Sequence, residues 1–167
     1  AGDGPSEHPT QALLDLYTIW KERDHIEGLS IALVGDPTTN RAVRSLTALL
    51  AKCGVAHLDL VFENRPLGYD GAVSYLRSLE VPFRIGHDLT MVAPTADVIY
   101  LTHLPGEQIP EERMNRGNDS GTVMLTRRVV AQMRQDATVL HPFPRQGEVP
   151  DWFDDDPRAA YFRQIAN

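Results

Sequence analysis

Short runs of branched and apolar residues recur along the chain: "LSIALVGD", "HLDLVF", "PFRIG", "ADVIYLTH" and "ATVLHPFP". Helical periodicity occupies several of the intervals between them, and no other feature narrows the fold as much. A short run that is apolar at consecutive rather than alternate positions suits a strand buried on both faces. Strands that alternate with helices pair in parallel, with right-handed crossovers and helices above and below. The expectation is an α/β, doubly wound, three-layer sandwich around a parallel sheet of about five strands, Rossmann-like in outline.

The intervals can be read individually. Periodicity over Pro9–Arg23 predicts a helix with Leu13, Leu16, Tyr17 and Trp20 on its apolar side. Asn40 predicts the N-cap of a second helix through Lys52, with Val43, Leu46, Leu49 and Leu50 on one face. Gly71–Leu79 reads as a third. Leu104–Gly121 breaks the rhythm: it is long, polar and rich in glycine and proline, and it follows the carboxyl end of a buried strand. Open α/β sheets bind ligands at those ends, so the segment is expected to face a ligand and to be the most mobile long stretch.

At 167 residues, one domain with a real core is expected. A net charge of −7 with no lysine–arginine cluster speaks against a nucleic-acid partner. No apolar run reaches membrane-spanning length and no signal peptide is visible, so neither a membrane nor secretion is expected. The single cysteine, Cys53, excludes an internal disulfide and fits a reducing, cytoplasmic setting. No metal-ligand spacing, nucleophile elbow or phosphate-binding loop motif is present. The chain starts at Ala1 rather than Met, which suggests a piece of a longer protein.

Chemistry concentrates at three places. Pro9 suits a first helical position, which puts His8 at the helix boundary and Gln11 in the first turn. Free backbone N–H groups and the helix dipole favour a neutral His8 there, able to polarise a carbonyl whose oxygen gains charge on attack. A plain capping role for His8 remains open. Arg41 follows the first strand's turn, where a guanidinium can clamp a carboxylate or phosphate; a solvated arginine is the alternative. In "LHPFPR" two prolines stiffen the backbone and leave carbonyls without internal partners, ready to accept from a ligand NH2 group.

Taken in order, "AGDGPSEHPTQALLDLYTI", "IALVGD…NRAVRSL", "ADVIYLT", "VLHPFPR" and "DPRAAYFRQ" closely resemble the C-terminal, amino-acid-binding domain of the aspartate carbamoyltransferase family. The resemblance covers essentially the whole chain, residues 1–167. It implies attack of the aspartate amino group on carbamoyl phosphate, in pyrimidine biosynthesis, without cofactor or metal. It also implies that His8 and Gln11 contact the carbamoyl group, His8 on its oxygen, and that the Pro142–Phe143 backbone accepts from the carbamoyl nitrogen. Arg41 matches a family arginine that contacts aspartate. A carbamoyl-phosphate domain outside this chain and a homo-oligomer, typically a trimer, are implied as partners.

The sequence departs from the family pattern around the acceptor. Thr38 stands where a lysine is usual, and "THLPGEQ" puts His103 and Pro105 where the family has an arginine and a glutamine. Losing two such holding groups would weaken aspartate binding by ~2–4 kcal/mol. A transcarbamylase with another amine acceptor, and a non-catalytic assembly or regulatory domain, therefore stay open as alternatives.

Overall fold

The computed structural model describes residues 7–62, 69–103 and 123–167. Five strands, β1 (Ser30–Val34), β2 (His57–Val61), β3 (Phe83–Gly86), β4 (Val98–Leu101) and β5 (Thr138–Leu140), form one sheet in the order β3-β2-β1-β4-β5. Every pairing is parallel, with Ile31 opposite both Leu58 and Val98. From β1 the chain winds outward through β2 and β3, then returns to the other side of β1 for β4 and β5. The winding direction therefore reverses between β1 and β4.

Alternation along the strands explains why both faces are apolar. Ile31 and Leu33 join Leu58, Leu60, Val98 and Tyr100 in one core. Ala32 and Val34 join Val61, Ile99, Leu101 and Val139 in the other. Helices α1 (Pro9–Arg23) and α2 (Arg41–Lys52) cover the first face through Ile19, Val43, Leu46 and Leu50. Helix α3 (Tyr69–Ser78) adds Leu76 there. Helices α4 (Leu89–Val92) and α5 (Arg127–Gln132) cover the second through Leu89, Val92 and Val129. Each fully buried Leu, Ile or Val contributes roughly 1.5–3 kcal/mol. This is the expected doubly wound, three-layer arrangement.

Asn40 caps α2 as expected, its Oδ1 accepting from the amides of Ala42 and Val43 at 3.0 and 3.2 Å. The apolar side assigned to α1 is a correction at three of its four positions; Leu16 alone packs against the first core. Ala12, Asp15, Thr18 and Ile19 are buried, whereas Leu13, Tyr17 and Trp20 are 58%, 46% and 51% exposed. Polar Asp15 and Thr18 can face inward because their hydrogen bonds are met: Thr18 Oγ1 donates to the Leu14 carbonyl at 2.8 Å and accepts from Asn167 Nδ2 at 3.1 Å. Helix α3 begins two residues before the expected Gly71. Helices α4, α5 and α6 (Tyr161–Ala166) and a 3-10 turn at Asp151–Phe153 had no periodic signal long enough to read. The segment Leu104–Gly121 lies outside the described residues.

Candidate functional site at the carboxyl ends of the strands

The winding direction reverses between β1 and β4, and in such sheets ligands usually bind beyond the carboxyl ends of the strands at that point. Just past those ends the two segments are tied together tightly. Thr102, just past β4, donates through Oγ1 to the Val34 carbonyl at 2.6 Å and accepts from Asn40 Nδ2 at 3.1 Å. Gly35 has φ +143°, and a Cβ there would lie 2.6 Å from Thr102 Oγ1, so only glycine fits.

The turn after β1 is held from within. Asp36 Oδ1 accepts from the Thr38 amide at 2.8 Å and its hydroxyl at 2.7 Å. Arg44 donates to the carbonyls of Pro37 and Thr38 at 2.8 and 3.0 Å. Thr38 is thus part of a hydrogen-bonded turn. Arg41 is exposed in the first turn of α2, immediately after Asn40. His103 is half-buried two residues beyond β4, so the Asn40–Thr102 bond links the segments that carry Arg41 and His103. Pro105 lies outside the described residues.

His8 caps α1 in an uncommon way. Its Nδ1 accepts from the Gln11 amide at 3.3 Å, and its own amide donates to Ser45 Oγ at 2.9 Å. Ser45 in turn donates to the Glu7 carboxylate. A backbone N–H can only donate, so the neutral His8 ring carries its proton on Nε2.

From Gln11 a chain of hydrogen bonds crosses the first face of the sheet. Gln11 Nε2 donates to Asp15 Oδ1 at 2.7 Å, and Asp15 also accepts from Tyr100 Oη and Gln164 Nε2, both at 2.6 Å. Gln164 Oε1 accepts from the His141 amide at 2.9 Å, where β5 ends. Burial pushes the Asp15 carboxyl above its ordinary range against the opposing effect of its three donors. Burial and the neighbouring Asp15 charge raise Tyr100 well above its ordinary value, which keeps its hydroxyl a donor.

The turn after β5 is organised by buried His141. Its Nδ1 accepts from the Phe143 amide at 2.9 Å, which leaves the proton on Nε2 facing Glu148 Oε1 at 2.6 Å. Burial works to raise Glu148, but donation from His141 and from backbone amides prevails and holds its carboxyl below the ordinary value. Phe143 sits at φ +55°, before a cis bond to Pro144. Its ring packs against His141, Tyr161 and Phe162. Pro142 and Phe143 therefore lie in a turn with a fixed backbone.

The relay connects three of the expected site elements: the His8 cap, Gln11 and the Pro142–Phe143 turn. Asp15, Tyr100, Gln164 and Glu148 were not anticipated. The i, i+4 spacing of Gln11 and Asp15 was the available local signal, since side chains so spaced meet on a helix. Among the described residues, no group of three or more His, Cys, Asp or Glu could hold a metal ion. Among them, too, no helix is long and apolar enough to cross a membrane.

The chain is similar to known proteins along its whole length. Residues 27–167 match the family model described as "Aspartate/ornithine carbamoyltransferase, Asp/Orn binding domain". The chain is 41% identical to aspartate carbamoyltransferase 1, chloroplastic, of Pisum sativum over 167 residues, covering 100% of this chain and 43% of that protein. It is 37% identical over 169 residues to the aspartate carbamoyltransferase catalytic subunit of Methanopyrus kandleri, covering 100% of this chain and 54% of that one. Among solved structures, aspartate transcarbamoylase from Trypanosoma cruzi in complex with phosphate superposes with a TM-score of 0.80 at 32% identity, covering 99% of this chain and 55% of that one. The same enzyme in complex with carbamoyl phosphate and aspartate gives 0.79 at 32% identity, over 99% and 53%. The chain spans about half the length of these relatives.

Proposed function

Because the chain belongs to the aspartate/ornithine carbamoyltransferase family, in its Asp/Orn-binding domain, we propose that it is the amino-acid-binding half of an aspartate carbamoyltransferase. A carbamoyl-phosphate domain supplies the other half, and pyrimidine biosynthesis uses the product. In the reaction, the acceptor amine attacks the carbamoyl carbon of carbamoyl phosphate. A C–N bond forms, the C–O bond to phosphate breaks, the amine gives up a proton and phosphate departs.

The observation that carries this reading is the Gln11 amide donating to His8 Nδ1 at 3.3 Å. With Nδ1 occupied by the Gln11 amide, a neutral His8 offers Nε2–H to the carbamoyl oxygen, where negative charge develops. Gln11 Oε1 and the carbonyls of Pro142 and Phe143 supply acceptors for the carbamoyl NH2. Arg41 contacts an acceptor carboxylate, and the His103–Pro105 segment contributes to the acceptor side. Rate enhancement then comes from positioning and preset dipoles.

The test is production of carbamoyl-aspartate by the full-length protein, with His8→Ala as the comparison. Absence of turnover in the wild type would overturn the reading. His103 and Pro105, set where the family has arginine and glutamine, favour a second reading in which another amine is the better acceptor. Competition between aspartate and other amino acids separates the two. The trimeric assembly and the cytoplasmic location belong to the proposal; the pea relative, named chloroplastic, makes a plastid the competing location.

A further inference from the structure

Gln11 has two chemically different amide ends, and Asp15 decides which one turns inward. Asp15 has no solvent exposure and sits one helical turn after Gln11. Its carboxylate oxygens meet Gln11 Nε2 at 2.7 Å, Gln164 Nε2 at 2.6 Å and Tyr100 Oη at 2.6 Å. An ionised carboxylate only accepts, so each partner must present a donor. Gln164 checks this independently. Its other end faces the His141 amide at 2.9 Å, which can only donate, so both ends of Gln164 require the same orientation. By the same logic Gln11 turns Nε2 towards Asp15 and keeps Oε1 as its outer atom. Tyr100 and Gln164, from β4 and α6, hold Asp15 from two further sides and prevent it from following a rotation of Gln11.

We propose that Asp15 is a positioning residue that, acting through Gln11, presents Gln11 Oε1 as the acceptor for the NH2 group of a carbamoyl donor. This rests on the carbamoyl-transfer reading above. A reversed Gln11 would oppose one NH2 group to another. The loss of that hydrogen bond is expected to weaken carbamoyl phosphate binding roughly tenfold.

The experiment is a double-mutant cycle in the full-length protein with Asp15→Leu, Gln11→Leu and the double variant. Carbamoyl phosphate affinity is read by calorimetry and the two KM values by kinetics. Each single variant should weaken carbamoyl phosphate binding roughly tenfold while the KM of the amine acceptor stays put, and the double should be no worse than either single. Asp15→Asn keeps an oxygen acceptor and should retain most of the affinity. Additive losses, or an Asp15→Leu effect confined to kcat or to the melting temperature, would overturn the proposal. If Asp15→Leu does not fold, Asp15→Ser carries the same cycle, since its hydroxyl is one bond shorter. An active wild type with an additive cycle sinks the Asp15 role alone. A wild type that binds carbamoyl phosphate but does not transfer to aspartate sinks the acceptor assignment, and the binding cycle still decides on Asp15. A wild type that does not bind it sinks both.

Discussion

Gln164 Nε2 donates to Asp15 Oδ1 at 2.6 Å across 149 residues of sequence. Because Gln164 also accepts from the His141 amide, one side chain holds the first helix of the described chain to the turn after its last strand. Replacing it with leucine leaves a buried backbone donor and a buried carboxylate each short of a partner. Gln164→Leu should lower stability by roughly 1–3 kcal/mol, checked by urea unfolding of the same protein with and without the change.

Asp15 and Glu148, both buried, should drive stability in opposite directions with pH. Glu148, lowered chiefly by donation from His141 against the effect of burial, contributes stability above its unfolded value that is lost as pH falls through the folded one. Asp15, raised by burial, contributes stability that is present below its unfolded value and lost as pH rises through the folded one. The penalty of Glu148→Gln should therefore shrink between neutral pH and about pH 4, while that of Asp15→Asn should grow. Unfolding curves at both pH values check the signs; parallel curves for the two variants would refute the assignment.

Gly35→Ala tests the close packing just past β1 and β4. The added methyl meets Thr102 Oγ1 at 2.6 Å in a backbone conformation that alanine disfavours. A loss of roughly 1–3 kcal/mol is expected. Thr102→Ser should not relieve it, because the clash is with the oxygen that both residues share.

His8 combines a cap with a proposed donor, and the two contributions should separate. His8→Ala should cost about 1 kcal/mol of stability through the lost acceptor for the Gln11 amide. In the full-length protein it should cost roughly 100- to 1000-fold in kcat through the lost oxyanion donor. His8→Asn restores a capping oxygen, so melting temperature should recover while turnover stays low.

His103→Arg combined with Pro105→Gln, in the full-length protein, should lower the aspartate KM roughly tenfold or more and leave carbamoyl phosphate unaffected. Steady-state kinetics over a range of aspartate concentrations decides it. An unchanged aspartate dependence in a folded variant would put a different acceptor ahead.

The strands were legible because buried parallel strands impose long apolar runs, and Asn40 was legible because capping is local chemistry. The inner face of α1 was not. Hydropathy selects Leu13, Tyr17 and Trp20, whereas burial of Asp15 depends on donors at Tyr100 and Gln164, far away in sequence. The same holds for the site. His8 and Gln11 announce themselves at a helix start, but the partner that orients Gln11 is stabilised only once the fold has closed. Helices as short as Leu89–Val92 carry too few turns for a periodic pattern.

The Gln164 bridge also bears on when a growing chain completes its packing. Synthesis runs from Gln11 towards Gln164, so most of the sheet can assemble on the ribosome before the last partner of Asp15 emerges. Until then the carboxylate lacks one of its three donors and the His141 amide lacks its acceptor. Helix α1 therefore waits for α6, and a nascent chain stalled short of Gln164 holds its strands without the bond that ties α1 to the turn after β5.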